Sequence, residues 1–314
     1  MSSERFRLTP KSAIELLFAR LLACLPFSWT SAIGAFLGEL EVRYDARCNK
    51  LWVQRFYRNM ATLCGATTAA AQRRCLINYG RQMGRVYAEY TVLHKLERGD
   101  RIEISGLEHI ANQQRPVIFV APHMANWEVN AKIASLINLP CCGLYEPRES
   151  TLRMAIANRA RKSWAPNIEL VSTASPMAIR DLTRNLLNGY NLLILPDEER
   201  QGYVWAPSLG RKLPDAGNRW LAARLAVKHG VDIVPLCAER LANTRFKVIV
   251  GERLSPSGEG NRQAQVQDLA ARIDTVLEAW VRKNPEHWFW QNALNLDKPF
   301  PAHLLRQSAA AGKP

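Results

Sequence analysis

A histidine and a glutamate five positions apart, His123 and Glu128, are the residues of this chain best placed to do chemistry. They stand in Ala121-Pro-His-Met-Ala-Asn-Trp-Glu128, directly after an apolar run at 116–121. An imidazole is the side chain best suited to take and return a proton near neutral pH. A carboxylate on its other ring nitrogen would fix the tautomer and stabilise the imidazolium that forms. With such a pair the nucleophile can be the substrate's own hydroxyl, and the chain carries no G-x-S-x-G elbow that would supply a serine instead. Free backbone N–H groups in the first turn of a following helix could steady an oxyanion.

The elements around this box set where it can act. The run at 116–121 reads as a buried strand and 127–139 as the helix after it. Strand-like runs recur at 141–145, 167–172, 191–195, 231–237 and 246–250. Helical patterns lie between them at 151–164, 177–187 and 217–229, with a long amphipathic one at 264–283. Such alternation implies an α/β fold: an open, largely parallel or mixed sheet with helices on both faces. The segment from about 45 to 95 reads as helical and packs against that layer. In an open sheet of this kind chemistry belongs in the loops at the carboxyl ends of the strands. That rule selects 122–128, 145–150 and 196–202, which all carry polar residues after apolar strands.

Four landmarks in order make the chain resemble the lysophospholipid acyltransferase superfamily, and most of all its branch that adds secondary acyl chains to lipid A. They are His123-Met-Ala-Asn126-Trp127-Glu128, Leu144-Tyr145-Glu146-Pro147, Leu195-Pro196-Asp197-Glu198 and Pro285-Glu286-His-Trp288-Phe-Trp290. The resemblance covers roughly residues 100–295 and implies an O-acyltransferase of the H-x4-D/E type, with His123 and Glu128 catalytic and no cofactor. It also implies a site role for Asp197 and for an arginine among Arg148, Arg159 and Arg161. Asn126, which could equally cap the helix that Trp127 begins, joins these as a candidate for substrate binding. The implied donor is an acyl thioester, on acyl carrier protein or on CoA, and the implied acceptor is a hydroxyl of a membrane lipid, a lipid A precursor or a related glycolipid. A lysophospholipid is the alternative acceptor. The implied place is the cytoplasmic face of the inner membrane. The chain departs from the branch at Ala125 (usually Gly), Glu146 (usually Arg), Glu198 (usually Gln) and Ser208-Leu209-Gly210 (usually Phe-Phe-Gly).

Bulk properties narrow the remaining choices. At 314 residues, 47% hydrophobic and 22% charged, the chain can bury a large core and is neither fibrous nor disordered. Its 42 Lys and Arg against 28 Asp and Glu give a formal charge of +14, which draws acidic partners. A non-catalytic basic protein binding nucleic acid or anionic membrane is the rival reading. No helix-turn-helix, zinc finger or RNA-binding signature supports it, so no nucleic-acid partner is expected. Seven scattered cysteines without a CxxC pair point to reduced thiols, with Cys141 and Cys142 in the core. His94, His109, His229 and His287 lie outside any constellation, no metal-ligand spacing occurs, and Gly258-x-Gly260 lacks the third glycine of a dinucleotide loop. The run at 13–25, broken by Glu15 and Arg20, and the run at 32–40 read as an apolar helical membrane anchor in the interface, with Arg43, Arg47 and Lys50 at the headgroups. An ordinary core helix pair and a true transmembrane span are the other readings of the same residues. The expected division is a membrane-associated segment over 1–45, an α/β domain over 46–300 and a polar tail over 301–314.

Overall fold

The computed structural model describes residues 10–97, 100–111, 113–137, 139–147 and 151–305. A helical layer comes first: α1 (Pro10–Cys24), α2 (Phe27–Arg47), α3 (Leu51–Cys64) and α4 (Ala69–Glu89). Thr68 caps α4, its hydroxyl accepting the Ala71 N–H at 3.2 Å. Lys95, in the 3₁₀ turns that follow α4, donates to the carbonyls of Ala23 and Leu25 at 2.7 Å and so closes the end of α1.

Strands then alternate with helices. They are β1 (Ile102–Ser105), β2 (Ile118–Val120), β3 (Cys141–Tyr145), α5 (Thr151–Trp164), β4 (Ile168–Ser172), α6 (Ala178–Leu187) and β5 (Asn191–Ile194). A short hairpin of β6 (Glu199–Arg200) and β7 (Tyr203–Val204) leads to α7 (Gly217–His229), β8 (Ile233–Arg240), β9 (Phe246–Val250) and α8 (Arg262–Lys283). The sheet order is β1-β9-β8-β2-β5-β3-β4. Every pairing in it is parallel except that between β8 and β9. The expected α/β sheet is therefore present, mostly parallel and with helices on both faces.

Alternation along β2 shows how the two faces are filled. Ile118 and Val120 join a core with Leu182 of α6, Ala222 and Ala226 of α7, and Ile273 and Leu277 of α8. Phe119 points the other way, into a core with Val129, Ile133, Trp164 and Leu93. A third core joins the helical layer to the chain's end through Phe56, Met60, Met83, Trp288 and Leu294.

Two expectations are corrected here. The apolar helical membrane anchor at the N-terminus is not what the segment forms, and no helix among the described residues is long and apolar enough to cross a membrane. The apolar stretch of α2 is interrupted by Gly34 and Gly38, whose bare backbones meet Gly84 and Gly80 of α4. Thr30, Ser31, Ala35, Val42 and Asp45 are buried beside them, so the helix packs as part of the layer. The second correction concerns the helix after His123. Trp127–Ser135 is a run of 3₁₀ turns, and Asn126 at its start makes no side-chain cap bond. The Glu128 carbonyl accepts the Trp164 indole N–H at 2.8 Å, which ties this turn to α5 instead of to a regular helix ladder.

Candidate active site

His123 sits where the sheet's topology requires, in the loop leaving β2, the strand between β5 and β8. Its ring is packed edge-to-face on Trp127 (centroids 4.9 Å) and on Trp290 (5.4 Å), and its side chain is 20% exposed. The loop is held by the chain's carboxyl-terminal segment. Phe289 N–H donates to the His123 carbonyl at 2.9 Å, and Ala125 N–H donates to the His287 carbonyl at 2.9 Å. Between them Ala125 takes a φ of 49°, a left-handed conformation that glycine adopts most easily.

Asp197, just past β5, is fully buried and organises the imidazole. Its carboxylate accepts from His123 Nδ1 at 2.8 Å, from the His123 backbone N–H at 2.7 Å and from Trp288 Nε1 at 2.7 Å. Its carbonyl accepts the Trp290 indole N–H at 2.6 Å. A carboxylate only accepts, so Nδ1 carries the proton and Nε2 keeps its lone pair. His123 lines a cavity of about 1520 Å³, well above the ~300–1,000 Å³ of ordinary small-molecule sites.

Glu128, the second residue of the 3₁₀ run, is likewise buried. Its carboxylate accepts from Arg161 Nη2 at 2.7 Å and Nε at 3.0 Å, and from the Tyr90 hydroxyl at 2.7 Å. Burial pushes its pKa up, but the Arg161 charge and hydrogen bonds, with help from Tyr90 and His123, outweigh burial and hold it below the usual value. Arg161 is the reciprocal case. Burial alone would lower its pKa, and the Glu128 charge raises it instead.

The sequence model of the bacterial lipid A biosynthesis acyltransferase family matches residues 3–294. The chain belongs to that family. The acyltransferase is also similar in structure to the 1-acyl-sn-glycerophosphate acyltransferase PlsC from Thermotoga maritima. That likeness is loose, with 16% identity and a TM-score of 0.36 over 74% of this chain and 97% of the other. Among curated proteins no sequence matches this one.

The acyltransferase brings His123, Glu128, Arg161 and the neighbourhood of Asp197 to one cavity wall. Arg159 is exposed on α5, and Arg148 lies outside the described residues. Asn126 is fully buried beneath the site, where its Nδ2 donates to Glu89 at 2.9 Å. Glu89 is bound at both oxygens by Arg240 (2.7 and 2.8 Å) and accepts the Ser31 hydroxyl at 2.6 Å. Asn126 thus links the His123 loop to a buried ion pair between α4 and β8. Among the described residues no group of His, Cys, Asp and Glu is arranged to hold a metal ion.

Sequence reasoning missed Tyr90, Trp164 and the Glu89–Arg240 pair. They come from helices α4 and α5 or their ends and from β8, and nothing in their local pattern distinguishes them from ordinary core residues. The Trp288 and Trp290 indoles could have been found, because the terminal landmark singles them out and a buried indole N–H needs an acceptor.

Proposed function

We propose that the protein moves a fatty acyl group from an acyl thioester, on acyl carrier protein or on CoA, to a hydroxyl of a membrane lipid, a lipid A precursor or a related glycolipid. Its place of work would be the cytoplasmic face of the inner membrane, where a soluble donor meets a lipid acceptor. The observation that carries the reading is the His123–Asp197 hydrogen bond, which leaves Nε2 free as a base beside the cavity. Family membership supports the acceptor class.

In the reaction, the acceptor hydroxyl gives its proton to His123 Nε2 as its oxygen attacks the thioester carbonyl. A C–O bond forms, and the negative charge that collects on the carbonyl oxygen falls within reach of Arg161, which Glu128 and Tyr90 orient. Collapse breaks the C–S bond, and the proton on Nε2 passes to the departing thiolate. Asp197 holds the ring in one tautomer and stabilises the imidazolium throughout. Glu128 contributes a second negative charge near that imidazolium and anchors Arg161.

The test is transfer of labelled acyl chains from acyl carrier protein to a panel of lipid A precursors and lysophospholipids, with products resolved by mass. His123→Ala should lower turnover by roughly 10²–10⁴-fold. Full activity in that variant would overturn the mechanism, and a lysophospholipid product would replace the acceptor.

A further inference from the structure

The cavity that His123 lines extends along α7 to the start of α8, where its lining is cationic. Arg224 and Lys228 on α7 and Arg262 at the start of α8 line the same cavity and are exposed. Arg224 and Lys228 are one helical turn apart on one face, an arrangement of like charges that weakens an isolated helix. Among the described residues none of the three is in an ion pair, whereas Arg272 and Arg282 of the neighbouring α8 surface are bonded to Asp268 and Glu278. Two acidic residues that line the cavity make hydrogen bonds of their own. Asp215 accepts the Gln267 side-chain N–H at 3.1 Å, and Glu198 accepts the backbone N–H of Asn218 at 2.6 Å.

Two of these charges, Lys228 and Arg262, act on one neighbour. His229, at the end of α7, has its pKa lowered by burial and then by both Lys228 and Arg262. Ile179 of α6 also lines the cavity and is 59% exposed, so an uncovered apolar side chain belongs to the same cavity surface. A rim of unpaired cations on a cavity surface with an apolar contact is what an acidic protein needs in order to dock and to thread a long arm inward.

We propose that this rim of Arg224, Lys228 and Arg262 is the docking surface for an acidic acyl carrier protein, which passes its thioester along the cavity to His123. The proposal rests on the acyl-thioester reading above. The charges act on encounter and seating, while the chemistry stays with the residues at the other end.

Arg224→Glu combined with Lys228→Glu tests it, with Arg73→Glu combined with Arg74→Glu on the exposed side of α4 as a control of equal charge change. Binding of acyl carrier protein bearing a C12 chain is measured directly over a range of NaCl concentrations, apart from turnover. The rim variant should bind roughly tenfold more weakly at low salt, with the gap closing as salt rises, and the α4 variant should bind like the wild type. The KM for the carrier-borne chain should rise in step, while kcat/KM for the uncharged C12 thioester of pantetheine holds. Unchanged carrier binding, or equal loss in the α4 variant, would overturn the proposal. Equal loss of activity with both donors would assign the cations to an anionic acceptor headgroup instead. Carrier binding that depends on the rim, without transfer to any lipid, would leave docking in place and refute the proposed reaction.

Discussion

Asp197 accepts three N–H groups from two separate segments, so its charge and its geometry act together on His123. Asp197→Asn keeps the size but replaces an acceptor-only group with an amide that also donates. The amide can turn a donor toward Nδ1 and so place the ring proton on Nε2, where a base is needed. Turnover is expected to fall by roughly 10²–10⁴-fold with KM little changed, read by steady-state kinetics on the purified variant. A loss confined to KM would instead assign Asp197 to substrate binding. The sequence pointed to Glu128 as the carboxylate on the imidazole, whereas Glu128 binds Arg161 and Tyr90 and Asp197 holds Nδ1. His123 and Glu128 stand out because they share one loop after one strand. Asp197 is 74 positions further on and becomes the imidazole's hydrogen-bonded carboxylate only because β5 lies beside β2 in the sheet. Spacing alone cannot see across a parallel pairing, so Asp197 was legible through a motif and not through geometry. Arg161 was one of three equivalent arginines in sequence, and only the turn of α5 selects it.

Between elements, the same limit explains what was and was not read. Strands β2, β3, β5 and β8 are apolar runs bounded by turn residues, and each was legible. β1 is a short, half-exposed edge strand, and β6 with β7 is a hairpin of two-residue strands, too brief to carry a period. The apolar stretch of α2 was legible as hydrophobic but not as to its partner. A window of sequence reports how apolar a helix is, and the glycines that meet Gly80 and Gly84 of α4 declare themselves only when both helices are seen. That contact gives a sharp expectation. A Cβ on residue 38 would collide with the Gly80 carbonyl oxygen, a backbone atom that cannot turn aside. Gly38→Val should therefore cost about 3 kcal/mol, read as a lower guanidinium midpoint with an unchanged slope. Because α4 delivers Glu89 and, just past its end, Tyr90 to the site, turnover should fall with stability. A variant with wild-type stability would mean that α2 and α4 do not meet through these glycines.

Over the whole molecule, the balance of buried carboxylates sets how stability follows pH, and two residues beside the site pull in opposite directions. Glu128 has a lowered pKa in the folded protein, so its contribution is fully present above the ordinary value of 4.5 and is lost as pH falls through the folded value. Glu198 is raised, by burial first and then by the charges of Glu146 and Asp197, against the hydrogen bond from Asn218 and the charge of Arg200. The unfolded chain ionises Glu198 near 4.5, while the folded protein keeps the proton to a higher pH. Across that window the folded state binds more protons, so stability declines as pH rises, and the full cost remains above it. Glutamine at this position cannot ionise and keeps an oxygen to accept the Asn218 N–H. Glu198→Gln should therefore melt with the wild type at pH 4 and above it at pH 7.5, measured by thermal unfolding across a pH series. A variant that melts lower at pH 7.5 would show that a negative charge at the start of α7 stabilises that helix by more than its burial costs. In that case Glu198 would hold the cavity wall together as an ionised side chain.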